Sequence, residues 1–201
     1  LSAAVDEDTE VVVGLAYSGG KTMGWHATQA KYDYYKYSFS VCENGEWRSV
    51  GSCNSAYALN YEDWDVVSIQ PYAEETLTGT LEGVNFSGES YKVSDEFLDL
   101  TASTGYMIDH VDKYAPLADI YLYMTWRPSV GTIGGGLQNF EKAVAQLINK
   151  TYTGTTSNKT ITSVIPVATA LQNARSTYLT LLNHNTKADP TITGSQITYS
   201  A

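Results

Sequence analysis

Asp119-Ile-Tyr-Leu-Tyr-Met-Thr125, which follows the stretch 97–114 almost directly, decides the fold class. In 97–114 the apolar residues Phe97, Leu98, Leu100, Met107, Ile108 and Val111 are spaced for a helix with one face on a core. The run 119–125 then reads as a strand, so helix leads into strand. Upstream, Asp65-Val-Val-Ser-Ile-Gln70 reads as another buried strand, stopped by Pro71. Strands separated by helices imply βαβ units with right-handed crossovers, hence a largely parallel sheet covered on both faces. The expected fold class is α/β, a three-layer α/β/α sandwich with a mainly parallel sheet.

The rest of the chain extends this pattern in both directions. After 125 come a glycine-rich loop, 131–136, and an amphipathic helix, 137–149, with Phe140, Val144, Leu147 and Ile148 on one side. A strand over 161–167 and a helix over 168–182 follow. The stretch 183–201 has no helical period, and Ile192, Ile197 and Tyr199 suit an edge strand or a tail. Before 65, the compact apolar run 11–16 ends in Ser18-Gly19-Gly20 and reads as a buried strand followed by a turn. Residues 32–41 alternate aromatic and polar (Tyr35, Tyr37, Phe39, Val41), and Asn44-Gly45 is a two-residue hairpin turn into 46–50. These make a β-hairpin insertion at about 32–52. Residues 76–94, rich in Gly, Ser, Thr and Glu, read as a loop or small surface insertion. One α/β domain over 1–182 and a tail over 183–201 account for the chain.

Composition narrows the function classes. The 201 residues suit one domain, and with 43% hydrophobic and 17% charged residues the chain can bury a core. Twelve Lys+Arg against 22 Asp+Glu give a net charge of −10 and a pI near 4.6, which repels phosphate backbones and argues against nucleic acid as a partner. Apolar runs are only a few residues long, as in Val11-Val12-Val13, so membrane insertion is not expected. Leu1 to Glu10 is mostly small and acidic and does not read as a signal peptide. Even so, 16 Tyr, abundant Ser, Thr and Gly, and sequons at Asn85, Asn149 and Asn158 suit a secreted or extracellular glycoprotein. The hairpin pairs Cys42 with Trp47 and leaves Cys53 six residues further on. That is about 20 Å of strand, against the roughly 4.4–6.8 Å between Cα atoms that a disulfide spans, so either the hairpin is broken or bulged and the two can bond, or both thiols are free.

The sharpest local motif is Gly14-Leu-Ala-Tyr-Ser-Gly19-Gly20-Lys21-Thr22, directly after a strand. A phosphate-cradling loop needs Gly, four residues, then Gly-Lys-Ser/Thr, so that backbone N–H groups curl round the anion. Here the spacing from Gly14 to Gly20 is one residue too long. Nucleotide-phosphate binding at Ser18 to Thr22 stands as an alternative to a plain strand-to-helix turn. His26, His110 and His184 have no metal-ligand spacing, and Cys42 and Cys53 complete no zinc set, so no metal and no cofactor are expected. His110 lies inside the helix 97–114 and reads as structural. His26 lies a few residues after the Gly-Gly turn, which reads as the end of a parallel strand, where ligands collect in open α/β sheets.

Five segments together resemble one family. They are Val13-Gly-Leu-Ala-Tyr-Ser-Gly-Gly20 with His26, Asn44-Gly-Glu-Trp47, Glu62-Asp-Trp-Asp-Val-Val-Ser-Ile-Gln70, Tyr123-Met-Thr-Trp126 and Ile165-Pro-Val-Ala-Thr-Ala-Leu-Gln-Asn-Ala-Arg175. In this order, over about 11–180, the chain resembles a poorly characterised bacterial branch of the SGNH (GDSL-type) hydrolase superfamily. The resemblance implies a flavodoxin-like α/β/α sandwich and, in active members, hydrolysis of acyl esters, often on carbohydrates. It also implies an oxyanion hole at Gly20 and Gln70 and a pocket of Ser18, Gly19, His26, Trp126 and Arg127. A backbone N–H and a side-chain amide are the donors a tetrahedral oxyanion needs, each worth about 3 kcal/mol.

The family's catalytic blocks are not found. Its nucleophile strand would precede residue 1, Leu1 to Glu10 reading as the end of the helix after it, and the late Asp-x-x-His is missing. His184 and Asp189-Pro190 occur in the wrong order. No catalytic nucleophile or base is therefore identifiable. The expectation is a hydrolase-like domain, inactive as this chain stands, with an acylated carbohydrate as its ligand. The alternative is a non-catalytic extracellular binding or self-assembly module, a homo-oligomer or polymer built by strand donation through open sheet edges, with 192–199 as donor.

Overall fold

The computed structural model describes residues 10–71, 93–124, 148, 152–167, 169–170 and 173–174. Strand β1 (Val12–Tyr17) leads into helix α1 (Met23–Lys31), the hairpin β2 (Tyr37–Glu43) and β3 (Glu46–Cys53), and a short helix α2 (Ser55–Leu59). Strand β4 (Val66–Ile69), a 3-10 turn (Asp95–Phe97), helix α3 (Leu100–Tyr114) and strands β5 (Asp119–Tyr123) and β6 (Ile161–Ile165) follow. The strands form two sheets, an antiparallel one ordered β1-β2-β3 and a parallel one ordered β4-β5-β6. The chain is a mixed α/β protein.

The parallel sheet is the one expected around 119–125. Val66 aligns with Asp119 and Ile69 with Leu122, and a parallel neighbour of this kind needs a crossover, which α3 provides. Asp99 starts α3 by accepting a hydrogen bond from the Ala102 N–H at 2.8 Å. Phe97, Leu100, Met107, Ile108 and Val111 are buried as expected and Leu98 is half-buried. They join Ile69, Ile120, Leu122, Met124 and Ile161 in one core. The strand 65–70 is expected to be buried, but Val66 is exposed; among the described residues β4 has a neighbour, β5, on one side only.

The antiparallel sheet corrects two expectations. The hairpin is not an insertion on a parallel sheet: β2 pairs with β1, from Val12 opposite Glu43 to Tyr17 opposite Ser38. Residues 11–16 are therefore not a buried parallel strand. Val13 to Tyr17 are exposed, and among the described residues β1 pairs on one side only. The strand expected over 32–41 begins only at Tyr37. The turn is as read: Asn44 (φ 53°) and Gly45 (φ 83°) take the left-handed conformations that a tight hairpin demands. Cys42 faces Trp47, Cys53 faces Tyr37, and both thiols are free.

Helix α1 ties the two halves together. Thr22 caps it, its Oγ1 accepting from the Trp25 N–H at 3.0 Å. Met23, Ala27 and Ala30, at helical spacing, belong to the core of the parallel sheet. Trp25 belongs to a second core with Tyr37, Phe39, Val41 and Cys53 of the hairpin. Trp64 packs against both. The loop 131–136, the helix 137–149 apart from Ile148, most of 76–94, nearly all of 1–10 and the tail 183–201 lie outside the described residues, as does most of the helix 168–182.

Candidate functional site

The turn between β1 and α1 carries most of the expected site. Ser18 is half-buried and Gly19 exposed. Gly20 sits at φ +65°, and a Cβ there would meet nothing within 4 Å, so its backbone faces open space. The Thr22 hydroxyl is committed to capping α1. Lys21 places its ammonium 5.0 Å from the centre of the Trp25 ring, and partial burial pushes its pKa down.

His26 lies one turn into α1 and faces the hairpin. Its Nδ1 is 2.8 Å from the Tyr37 hydroxyl, the two rings stack at 5.7 Å, and Trp25 meets the imidazole edge-on at 5.3 Å. Burial pushes the His26 pKa down to about 4, with the Lys21 charge adding to the effect. Burial also holds the Tyr37 phenol well above its ordinary value. The imidazole is thus neutral at pH 7, and its partner is a phenol rather than a serine or a carboxylate. The expectation that His26 follows a parallel strand is corrected: β1 is antiparallel to its neighbour β2.

Gln70 directly follows β4 and is exposed. Met23, at the start of α1, belongs to the same core as Ile69, the last residue of β4, and Met124, just after β5. In open α/β sheets the carboxyl ends of the strands collect ligands. Gln70 shares no hydrogen bond with Ser18 to Thr22 or with His26 among the described residues. Trp126 and Arg127 lie outside the described residues, as do Asn85, Asn149 and His184; Asn158 is exposed just before β6. Among the described residues no group of three or more His, Cys, Asp or Glu is placed to hold a metal.

A second polar constellation had no spacing signal in the sequence. Ser55 Oγ lies 2.9 Å from His110 Nε2, and both residues are buried. Next to Ser55, Asn54 caps α2 by accepting from the Tyr57 N–H at 2.8 Å and donates through Nδ2 to Asp33 Oδ1 at 2.9 Å. Burial, reinforced by Lys113, pushes the His110 pKa down to about 4, against a smaller upward pull from Asp33. Residues 55 and 110 meet only because α2 folds against α3. The one legible trace is the i, i+4, i+8 placement of Tyr106, His110 and Tyr114 on one stripe of α3.

No protein-family model and no curated protein matches the chain. Among solved structures it is similar to the crystal structure of a DUF4886 family protein from Bacteroides uniformis ATCC 8492, at 20% identity and a TM-score of 0.58. The match covers 83% of this chain and 60% of that one, so the chain spans about three fifths of its neighbour's length. The likeness is one of fold.

Proposed function

We propose that this chain is an SGNH-type hydrolase-like domain that binds an acylated carbohydrate without cleaving its ester. The observation that carries the reading is His26. Just after the turn that leaves Gly20 open, His26 is paired with Tyr37 and held near pKa 4, and among the described residues neither a serine nor a carboxylate is its hydrogen-bond partner. Gly20 and Gln70 then serve as donors to the acyl carbonyl, with Ser18 and Gly19 lining the approach. In this reading the two sheets are halves of one three-layer, flavodoxin-like sandwich. The support is Trp64, which packs against both cores and lies against Gly14 of β1, just ahead of β4. The protein is secreted in this reading, and Asn158 is exposed as a glycosylated residue must be.

The test pairs a fluorophosphonate probe with calorimetric titration of acetylated xylo-oligosaccharide. No serine is labelled, the oligosaccharide binds saturably, and Gln70→Ala weakens binding by about tenfold, the loss of one hydrogen bond of about 1.4 kcal/mol. Labelling of a serine, or absence of binding, overturns the reading.

A second reading, self-assembly by strand donation, is favoured by β1 and β4, each paired on one side only among the described residues. Val13, Leu15 and Tyr17 alternate with Gly14 and Ala16, so they share the outer face of β1, where Tyr17 is 61% exposed; Val66 of β4 is 53% exposed. Light scattering across a wide concentration range decides it: a mass that stays at one chain removes this reading.

A further inference from the structure

The C-terminal end of α1 and the C-terminal half of α3 enclose a cleft of about 420 Å³ lined by Lys31, Asp33, Tyr106, His110, Lys113 and Tyr114. We propose that this cleft binds a neutral saccharide. The proposal goes beyond the ester-binding turn and does not rest on it. The two places lie towards opposite ends of α1, whose nine residues span about 13 Å.

One wall is aromatic. Tyr106 and His110 stack at 6.3 Å and 19°, and His110 meets Tyr114 at 4.8 Å, so three rings run without a break along α3. Just outside, Tyr32 and Tyr34 stack at 5.7 Å on either side of Asp33 in sequence, and both are half-exposed. The tyrosines present apolar faces with polar edges, which suit the C–H faces of a sugar ring; His110 between Tyr106 and Tyr114 is buried, and the Lys113 ammonium lies 4.7 Å from the centre of the Tyr114 ring.

The polar lining is balanced. Lys31 and Lys113 are matched by Asp33 and Asp109, so the cleft favours neither an anion nor a cation. All four have partners. Lys31 pairs with Glu96 at 2.6 Å, and Asp109 accepts from the Thr156 and Ser157 N–H groups at 2.9 and 3.0 Å. Asp33 holds Asn54 with one oxygen and Lys113 bonds the Tyr114 side chain, which leaves the second Asp33 oxygen as acceptor and the other Lys113 N–H groups as donors for hydroxyl groups, which both give and receive hydrogen bonds. A purely apolar ligand would strip water from these two charges without replacing it.

Asp33 is held deliberately. Its φ of +59° lies in the left-handed region that L-residues avoid, and the bond from Asn54 Nδ2 fixes one of its oxygens. A side chain kept in place at the expense of backbone strain belongs to a site more often than to a plain surface loop.

The test uses the full chain with three neutral probes, xylohexaose, cellohexaose and maltohexaose, and the anionic hexagalacturonate. At least one neutral probe binds saturably and shifts amide resonances of residues 106–114. Lys113→Ala and Asp33→Asn each weaken that binding tenfold or more, while Gln70→Ala leaves it unchanged. Lys113 is exposed, and Asn tolerates the left-handed conformation, so both variants keep the fold. Absence of binding by all three neutral probes, binding insensitive to both cleft variants, or preference for hexagalacturonate overturns the proposal. None of these results bears on the fluorophosphonate and Gln70 test of the other site.

Discussion

Lowering the pH from 7.5 to 5 is expected to cost the fold about 2 kcal/mol through His110 alone. His110 is 7% exposed, and its pKa falls from an ordinary 6.5 to about 4. The unfolded chain therefore takes up a proton that the native imidazole refuses. Stability is unaffected above pH 6.5, declines as the pH drops below that value, and levels off below pH 4. Between pH 6.5 and 5 the slope is about 1.4 kcal/mol per pH unit over about 1.5 units, or roughly 2 kcal/mol. That is a sizeable share of the roughly 5–15 kcal/mol typical of a domain. His26, shifted in the same direction for the same reason, adds a further loss in the same window.

The assay is urea unfolding of the wild type and His110→Gln at pH 7.5, 6.5, 5.5 and 5. The substitution removes the titrating group from both states. Whatever it does to absolute stability, its curve against pH should be flatter than the wild type's by about 2 kcal/mol. The imidazole resonance of His110 should titrate with a midpoint near 4. Parallel curves for the two proteins, or a His110 midpoint close to 6.5, would refute the burial argument.

Three further substitutions probe the packing. Gly105→Ala sets a helix-propensity gain of about 1 kcal/mol against a clash. The new Cβ would lie 2.5 Å from Thr155 Oγ1 and 3.1 Å from the Thr153 carbonyl, and the backbone atom cannot give way cheaply. A net loss of about 1–2 kcal/mol in thermal unfolding is expected. Thr104→Val replaces a buried hydroxyl that has no partner among the described residues, and should raise stability by about 1 kcal/mol; a loss would show that the hydroxyl is satisfied. Gly14→Val would put its Cβ 2.7 Å from the Trp64 ring, destabilising the chain by about 1–3 kcal/mol and shifting the tryptophan emission. Unchanged emission would mean that β1 does not run against Trp64.

The elements legible in the sequence are those whose signal is local. Asn44-Gly45 specifies its hairpin through the left-handed conformations of two adjacent residues, and it also separates Cys42 from Cys53. Helix α3 and strand β5 were readable because one shows helical spacing and the other follows it at once. Helix α1 was hidden by its own burial. Met23, Gly24, Trp25, Ala27, Thr28, Gln29 and Ala30 are all covered, with Met23, Ala27 and Ala30 in one core and Trp25 in the other, so no polar face marks a period. The pairing of β1 with β2 was equally invisible, because a run of valines suits a buried strand and an edge strand alike, and pairing is a non-local choice. The same holds for the site: Ser18 to His26 is a contiguous motif, whereas Ser55, Asp33 and His110 meet only through the docking of α2 on α3.

The state of His26 and His110, the two described imidazoles, supports the proposed binding role. A general base works best with a pKa near the working pH, because proton transfer weakens as that match is lost. His26 and His110 both sit near 4, about three units short of neutrality, and in both the largest cause is burial. A neighbouring carboxylate is the ordinary remedy, since it stabilises the imidazolium and lifts the pKa. His26 has Lys21 nearby instead, which acts in the wrong direction. His110 does feel Asp33, but Lys113 opposes it, and one Asp33 oxygen is committed to Asn54. Each histidine is therefore electrostatically suited to stay neutral, holding a neighbouring hydroxyl in place rather than drawing a proton from it.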